Sequence, residues 1–136
     1  MREMIRSVVL AVSVVLVAAT VRAAPDDTQV DRDKNATQVA KAWFTSLMQG
    51  ETAVTTSLSA TPFSFDRKQE VTTLLELKKL YDQIVNKKGK RDLKPTSVKV
   101  MTSSPDRVEV VLMIGNEGIA VTVKPGEAFR VIGFSD

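Results

Sequence analysis

The sequence predicts an α+β domain whose helices pack on one face of an antiparallel sheet. Residues 66–88, DRKQEVTTLLELKKLYDQIVNKK, read as one long amphipathic helix. At 100° per residue Leu74, Leu77, Leu80, Tyr81, Ile84 and Val85 fall on one arc, with Thr72, Glu76, Lys79, Gln83 and Asn86 opposite. From residue 97 onward the apolar period changes to two, in four short segments separated by the turn sequences SSPD, GNEG and KPGE. A helix with an apolar arc and a sheet with an apolar face each need a partner surface, and each supplies the other's.

Residues 1–24 read as a signal peptide. Arg2 and Arg6 form a positive start, residues 7–20 are an apolar run of 14, and Val21, Arg22 and Ala23 precede a cleavage expected after Ala23 or Ala24. The run is shorter than the ~20 apolar residues that span a bilayer, and a polar, acidic stretch follows it, which argues against an uncleaved anchor. The expected location is therefore exported, periplasmic or secreted, with no membrane attachment after cleavage. The chain contains no cysteine, so neither a lipid-modified cysteine nor a disulfide can contribute and packing alone must hold the fold. Removing residues 1–23 takes away three arginines and one glutamate, so the net charge falls from +3 to +1 and nucleic acid loses its compositional support as a partner. The 113 residues left suit a single core.

Residues 25–34 are expected to be a flexible polar lead-in, and residues 35–136 the single α+β domain. Asp31, Asp33 and Asn35 have the spacing of the first calcium-loop ligands. Ala36 and Ala42 stand where that loop needs its glycine and its bidentate glutamate, so no metal is expected there. A first helix is predicted over residues 35–49, capped by Asn35, with Val39, Ala40, Trp43, Phe44 and Leu47 on one face and Gly50 as its stop. A short helix over 51–59 and an edge strand over 61–65, with Pro62 near its beginning, come next. The long helix takes Asp66 as N-cap, Gln69 as its capping-box partner and Gly89 as its end.

The connector 89–95, with Lys87 and Lys88 before it, holds the densest positive charge of the mature chain. Without aromatic residues beside it, it reads as a solvated helix end rather than an anion site. The strands are then expected at 97–102, 107–114, 119–123 and 128–134, paired antiparallel through short turns. Val108, Val110, Leu112 and Ile114 form one face. Val111 and Met113 make the other less polar than a free sheet surface, which predicts a homodimer through it.

This order of elements, together with AKAWFTSLMQGE at the first helix, PFSFD at the first strand and AFRVIGFSD at the last, resembles the nuclear transport factor two-like (SnoaL-like, cystatin-like) superfamily. The resemblance covers essentially all of the mature chain and implies helices packed in the concave face of a curved antiparallel sheet, forming a cone. The superfamily includes ketosteroid isomerases, dehydratases, polyketide cyclases and many non-catalytic domains, so fold alone does not choose a function.

The residue inventory narrows the choice. Without histidine or cysteine there is no His general base, His metal ligation, Cys nucleophile or Ser–His pair. What remains for catalysis is a carboxylate such as Asp66 acting with Tyr81, and Asp66 is explained as a helix cap. The expected function is a non-enzymatic domain that binds a small apolar molecule or a partner protein in or beside the cone, with no cofactor. An isomerase or dehydratase using a carboxylate and Tyr81, and a structural dimerisation module, are the alternatives. Trp43, Tyr81 and Arg130 are the ligand-binding candidates. The first two lie on apolar arcs where core packing is the competing role. Arg130 alternates with Ala128, Ile132 and Phe134, and periodicity leaves open whether that set or Phe129 and Val131 faces the cone. Lys78 is expected to pair with Asp82 four residues on.

Overall fold

The computed structural model describes residues 27–136. Residues 1–26, expected to hold a signal peptide and the start of the lead-in, lie outside the described residues. The chain divides into a unit of residues 1–30, described only from residue 27, and a unit of residues 31–136 that carries everything below.

Helix α1 spans Asp27–Met48 and so begins well before Asn35. The polar stretch expected as a lead-in is helical from residue 27. Residues 27–34 contain no proline or glycine to stop a helix, and their side chains find partners: Arg32 Nε donates to Ser103 Oγ at 3.1 Å, and Ser103 Oγ donates to Asp33 Oδ1 at 2.5 Å. The helix buries Ala36, Ala40, Trp43, Phe44 and Leu47, the predicted face extended by one turn. Gly50, at φ +80°, ends it. The short helix α2 covers Thr52–Ser57.

The segment after α2 departs from expectation. Strand β1, Ser59–Phe65, turns through Asp66 and Arg67 into a second strand β2, Gln69–Val71, and helix α3 starts only at Leu74 and runs to Lys88. Asp66 and Arg67 both have positive φ, 54° and 59°, and the Lys68 N–H returns to Phe65 O at 3.1 Å, the mirror-image turn that suits a hairpin. Asp66 is therefore a turn residue and not a helix cap. Thr73 is the cap, its side chain accepting the Glu76 N–H at 3.2 Å. Residues 66–73 hold one apolar residue, Val71, so a helix there would have had no face to bury. At the other margin of the arc Leu74 is 49% exposed, and the burial falls on Leu77 and Tyr81.

The remaining strands are β3 Ser97–Ser103, β4 Val108–Ile114, β5 Glu117–Lys124 and β6 Arg130–Ser135. The six strands form one sheet in the order β2–β1–β6–β5–β4–β3. The meander β3 to β6 is antiparallel as expected, but β1 joins β6 in parallel, so the sheet is mixed and β1 is not at its edge. Pro62, which has no N–H to give, sits where the β1–β6 register is interrupted between Ser59 and Ser64. Gly133 permits the close approach that follows, since a side chain there would meet Ser64 O at 3.0 Å.

Val108, Val110, Leu112, Val121, Val123 and Val131 are fully buried beneath the helices together with Phe63, Leu77 and Tyr81. Burying a side chain of this kind contributes about 1.5–3 kcal/mol. A register shift between Thr122 and Val123 bulges β6 at Ile132. Because of that bulge Val131 and Phe134, three residues apart, both face the helices, so neither alternation set considered from sequence holds throughout.

Candidate functional site

Helices α1 and α3 and strands β1, β5 and β6 converge around the aromatic side chains. Trp43 Nε1 donates to Tyr81 Oη at 3.1 Å, and Tyr81 Oη lies 2.8 Å from Ser59 Oγ. Ser59 donates its one hydroxyl hydrogen to Thr55 O at 2.7 Å, so it is Tyr81 that donates to Ser59. The polar chain continues inside α2 and α1. Ser46 Oγ and Thr55 Oγ1 are 2.7 Å apart, Thr55 Oγ1 reaches Glu51 O at 3.1 Å and Ser46 Oγ reaches Trp43 O at 3.0 Å. Ser46, Thr55 and Ser59 are all buried, which places each hydroxyl where an unmet hydrogen bond would be costly.

Tyr81 is 0% exposed, and burial pushes its hydroxyl up to about 12 against the opposing pull of the Ser59 and Trp43 hydrogen bonds. Its proton is therefore held tightly and its hydroxyl is occupied on both sides.

Trp43 has a second neighbourhood. Its ring lies 5.1 Å from Phe134, which in turn packs edge to face on Phe65 at 4.9 Å. Trp43, Leu47, Ile84, Phe65 and Phe134 line a cavity of about 110 Å3. Phe44, Met48, Ile119, Lys88 and Asp136 border this cavity and also an antechamber of about 450 Å3 that adds Arg91, Leu93, Ile114, Glu117 and Gly118. Apolar walls with a few charged groups at the mouth are the usual composition of a small-molecule site. Asp66 stands at the cavity margin, where its Oδ1 accepts the Asp136 N–H at 3.3 Å.

Of the three residues singled out from sequence, the fold brings two together. Trp43 lines the cavity, and Tyr81 stands behind it as its hydrogen-bond acceptor. Arg130 lies elsewhere, opposite Lys124 at the start of β6, with Nη1 donating to Phe129 O at 3.1 Å. Lys88, Arg91, Glu117 and Asp136 at the mouth carried no sequence signal beyond charge. The connector that holds Arg91 is largely exposed, as expected of a solvated helix end, and its Arg91 N–H donates to Met48 O at 2.7 Å. On the opposite face of the sheet Val111, Gly118, Ala120 and Ser135 floor a trough of about 720 Å3 walled by the β1–β2 turn. Among the described residues no helix is long and apolar enough to cross a membrane.

No protein-family model matches the sequence, and no curated protein matches it. Solved structures do match. A protein of unknown function with a cystatin-like fold from Nostoc punctiforme superposes with a TM-score of 0.56 at 7% identity, covering 76% of this chain and 87% of that one. A nuclear transport factor two-like protein with a cystatin-like fold from Novosphingobium aromaticivorans gives 0.53 at 7% identity over 78% and 80%. A protein from Streptomyces avermitilis, proposed to be a dehydratase of the nuclear transport factor two-like family, gives 0.53 at 12% identity over 81% and 96%. At these identities the likeness is one of fold, and the α+β fold of this chain is the nuclear transport factor two-like, cystatin-like one.

Proposed function

We propose that the protein is a non-enzymatic binding domain that takes a small apolar molecule into the cavity beside Trp43. The observation that carries this reading is the continuity of apolar wall from the cavity through the antechamber, shared by Phe44, Met48 and Ile119. A catalytic reading draws less support. It asked a carboxylate to work with Tyr81, and the Tyr81 hydroxyl is sealed in the core between Trp43 and Ser59. Asp66 alone would remain, already engaged by the Asp136 N–H.

Trp43 is the single tryptophan of the chain, so its emission reports the cavity without labelling. Titration with decanol, a neutral alkyl probe, is expected to shift that emission saturably, and Ile84→Phe, which fills the cavity, is expected to abolish the shift. Emission unchanged up to the solubility of the probe would overturn the reading.

A second reading concerns the trough on the opposite sheet face. Val111 and Met113 are only half-buried there, and Gly118 and Ala120 leave the floor flat, which supports homodimerisation through this face. Export after signal cleavage remains part of the proposal and rests on residues 1–24.

A further inference from the structure

We propose that the antechamber holds the carboxylate of an amphipathic monoanion whose apolar body enters the cavity beside Trp43, a ligand class that rests on the cavity being a binding site. Lys88 and Arg91 are the cationic side chains lining the antechamber, and among the described residues neither makes an ion pair or a side-chain hydrogen bond. Lys88 borders both spaces, so one cation stands at their junction, where the head group of a molecule inserted tail-first would come to rest.

The wall that carries these cations is fixed to the body of the domain. Besides the bond from the Arg91 N–H to Met48 O, Gln49 Nε2 donates to Asp92 Oδ1 at 3.4 Å. The Lys90 stem lies over Gly50 so closely that a Cβ there would come within 2.7 Å of it. The connector is thus seated on the end of α1, the helix whose Phe44 and Met48 line the same space. With the backbone that carries them held in place, only the side chains of the two cations lose freedom on meeting an anion.

The charge of the mouth then selects among head groups. Lys87, Lys90 and Lys94 add to the positive field of this wall, and Asp92, its one acid, is already bonded to Gln49. Glu117 and Asp136 line the antechamber as well. They offset part of an attraction that grows in proportion to ligand charge, whereas the cost of leaving water grows with its square, so what remains favours a singly charged carboxylate between Lys88 and Arg91 over a dianion such as a phosphate monoester.

Fluorescence titration of Trp43 in the purified protein with decanoate, decanol and decylamine tests the proposal. Decanoate is expected to bind about 10-fold or more tighter than decanol. Lys88→Gln and Arg91→Gln are each expected to weaken decanoate about 5-fold, the scale of one solvent-open charge pair, and to leave decanol unchanged. Added salt should narrow the gap between the two probes. Equal binding of decanoate and decanol, or no effect of either substitution, overturns the monoanion and leaves the cavity reading standing. Tighter binding of decylamine also overturns it, by assigning the head group to Glu117 and Asp136. Silence of Trp43 with all three probes overturns the cavity reading and the proposal with it.

Discussion

The Trp43 indole N–H donates to the Tyr81 hydroxyl at 3.1 Å while the two rings meet edge to face with centroids 6.1 Å apart. One pair of side chains thereby makes both a polar and an aromatic bond between α1 and α3. Edge-to-face pairs contribute about 0.5–1.5 kcal/mol beyond the area they bury. The same contact sets the orientation of an indole whose ring lines the cavity, so core stability and cavity shape depend on one hydroxyl.

Removing that hydroxyl leaves a buried indole N–H without its acceptor. Tyr81→Phe is expected to lower stability by about 1–3 kcal/mol, and Tyr81→Ala by about 3–5 kcal/mol. Urea unfolding of both variants measures this. A loss below about 0.5 kcal/mol for Tyr81→Phe would mean that water replaces the hydroxyl and that the pocket behind Trp43 is wet.

The raised Tyr81 hydroxyl also gives stability an alkaline limb. The unfolded chain releases this proton near pH 10, and the folded chain holds it to about 12. Between those values the unfolded state binds fewer protons, so the contribution is complete below pH 10 and is lost as pH rises toward 12, by roughly 2–3 kcal/mol. Lysines titrate in the same window. The check is therefore the difference between wild type and Tyr81→Phe in urea midpoint at pH 8 and pH 11, which should shrink at the higher pH.

At the other end of the scale, Thr52 Oγ1 donates to Asp82 Oδ1 at 2.5 Å and Lys78 Nζ holds Oδ2 at 3.1 Å, together keeping the Asp82 carboxyl below its usual range. The stabilisation this gives is present above the ordinary carboxylate value and is lost as pH falls through the depressed one. Thr52→Val is expected to return Asp82 upward in an NMR titration. An unchanged Asp82 would mean that Lys78 alone sets its titration.

The meander and the apolar face of α1 were legible because Val108, Val110, Leu112, Val121 and Val123 keep strict alternation and Ala40, Trp43, Phe44 and Leu47 keep helical spacing. Residues 66–73 were misread because two capping signals compete there. Asp66 with Gln69 and Thr73 with Glu76 have the same spacing, and the apolar arc, which starts at Leu74, supports only the second. The bulge at Ile132 was hidden from the alternation because it arises from pairing with β5 and β1, and the adjacent Gly133 is its one local sign. The links from Trp43 to Tyr81 and from Arg91 to Met48 join residues 38 and 43 positions apart, beyond the reach of any local pattern.

The hairpin turn offers a direct check of that correction. Two non-glycine residues at positive φ carry a steric cost, lower for aspartate than for arginine. Replacing Asp66 and Arg67 by Asn and Gly should therefore raise stability by about 0.5–1 kcal/mol without loss of helical circular dichroism. If residues 66–73 were helical, the same change would lower both.

N-terminal sequencing of the exported protein should begin at Ala24 or Pro25. An intact Met1 recovered from membranes would overturn the signal-peptide reading.

Light scattering at micromolar concentration is expected to give twice the chain mass, and Val111→Glu with Met113→Glu to halve it. A monomeric wild type would count decisively against pairing through the outer sheet face.

The parallel seam between β1 and β6 sets an order of assembly. Strand β6, last among the described strands, lies third in the sheet, between β1 and β5. During synthesis the hairpin β1–β2 and the meander β3–β5 can each form early, yet no strand pairing joins them until residues 130–135 have left the ribosome. Loss of that segment would cut the sheet through its middle rather than shorten it at one end, and an unfinished chain would expose the Trp43, Phe63 and Val121 surfaces on both halves.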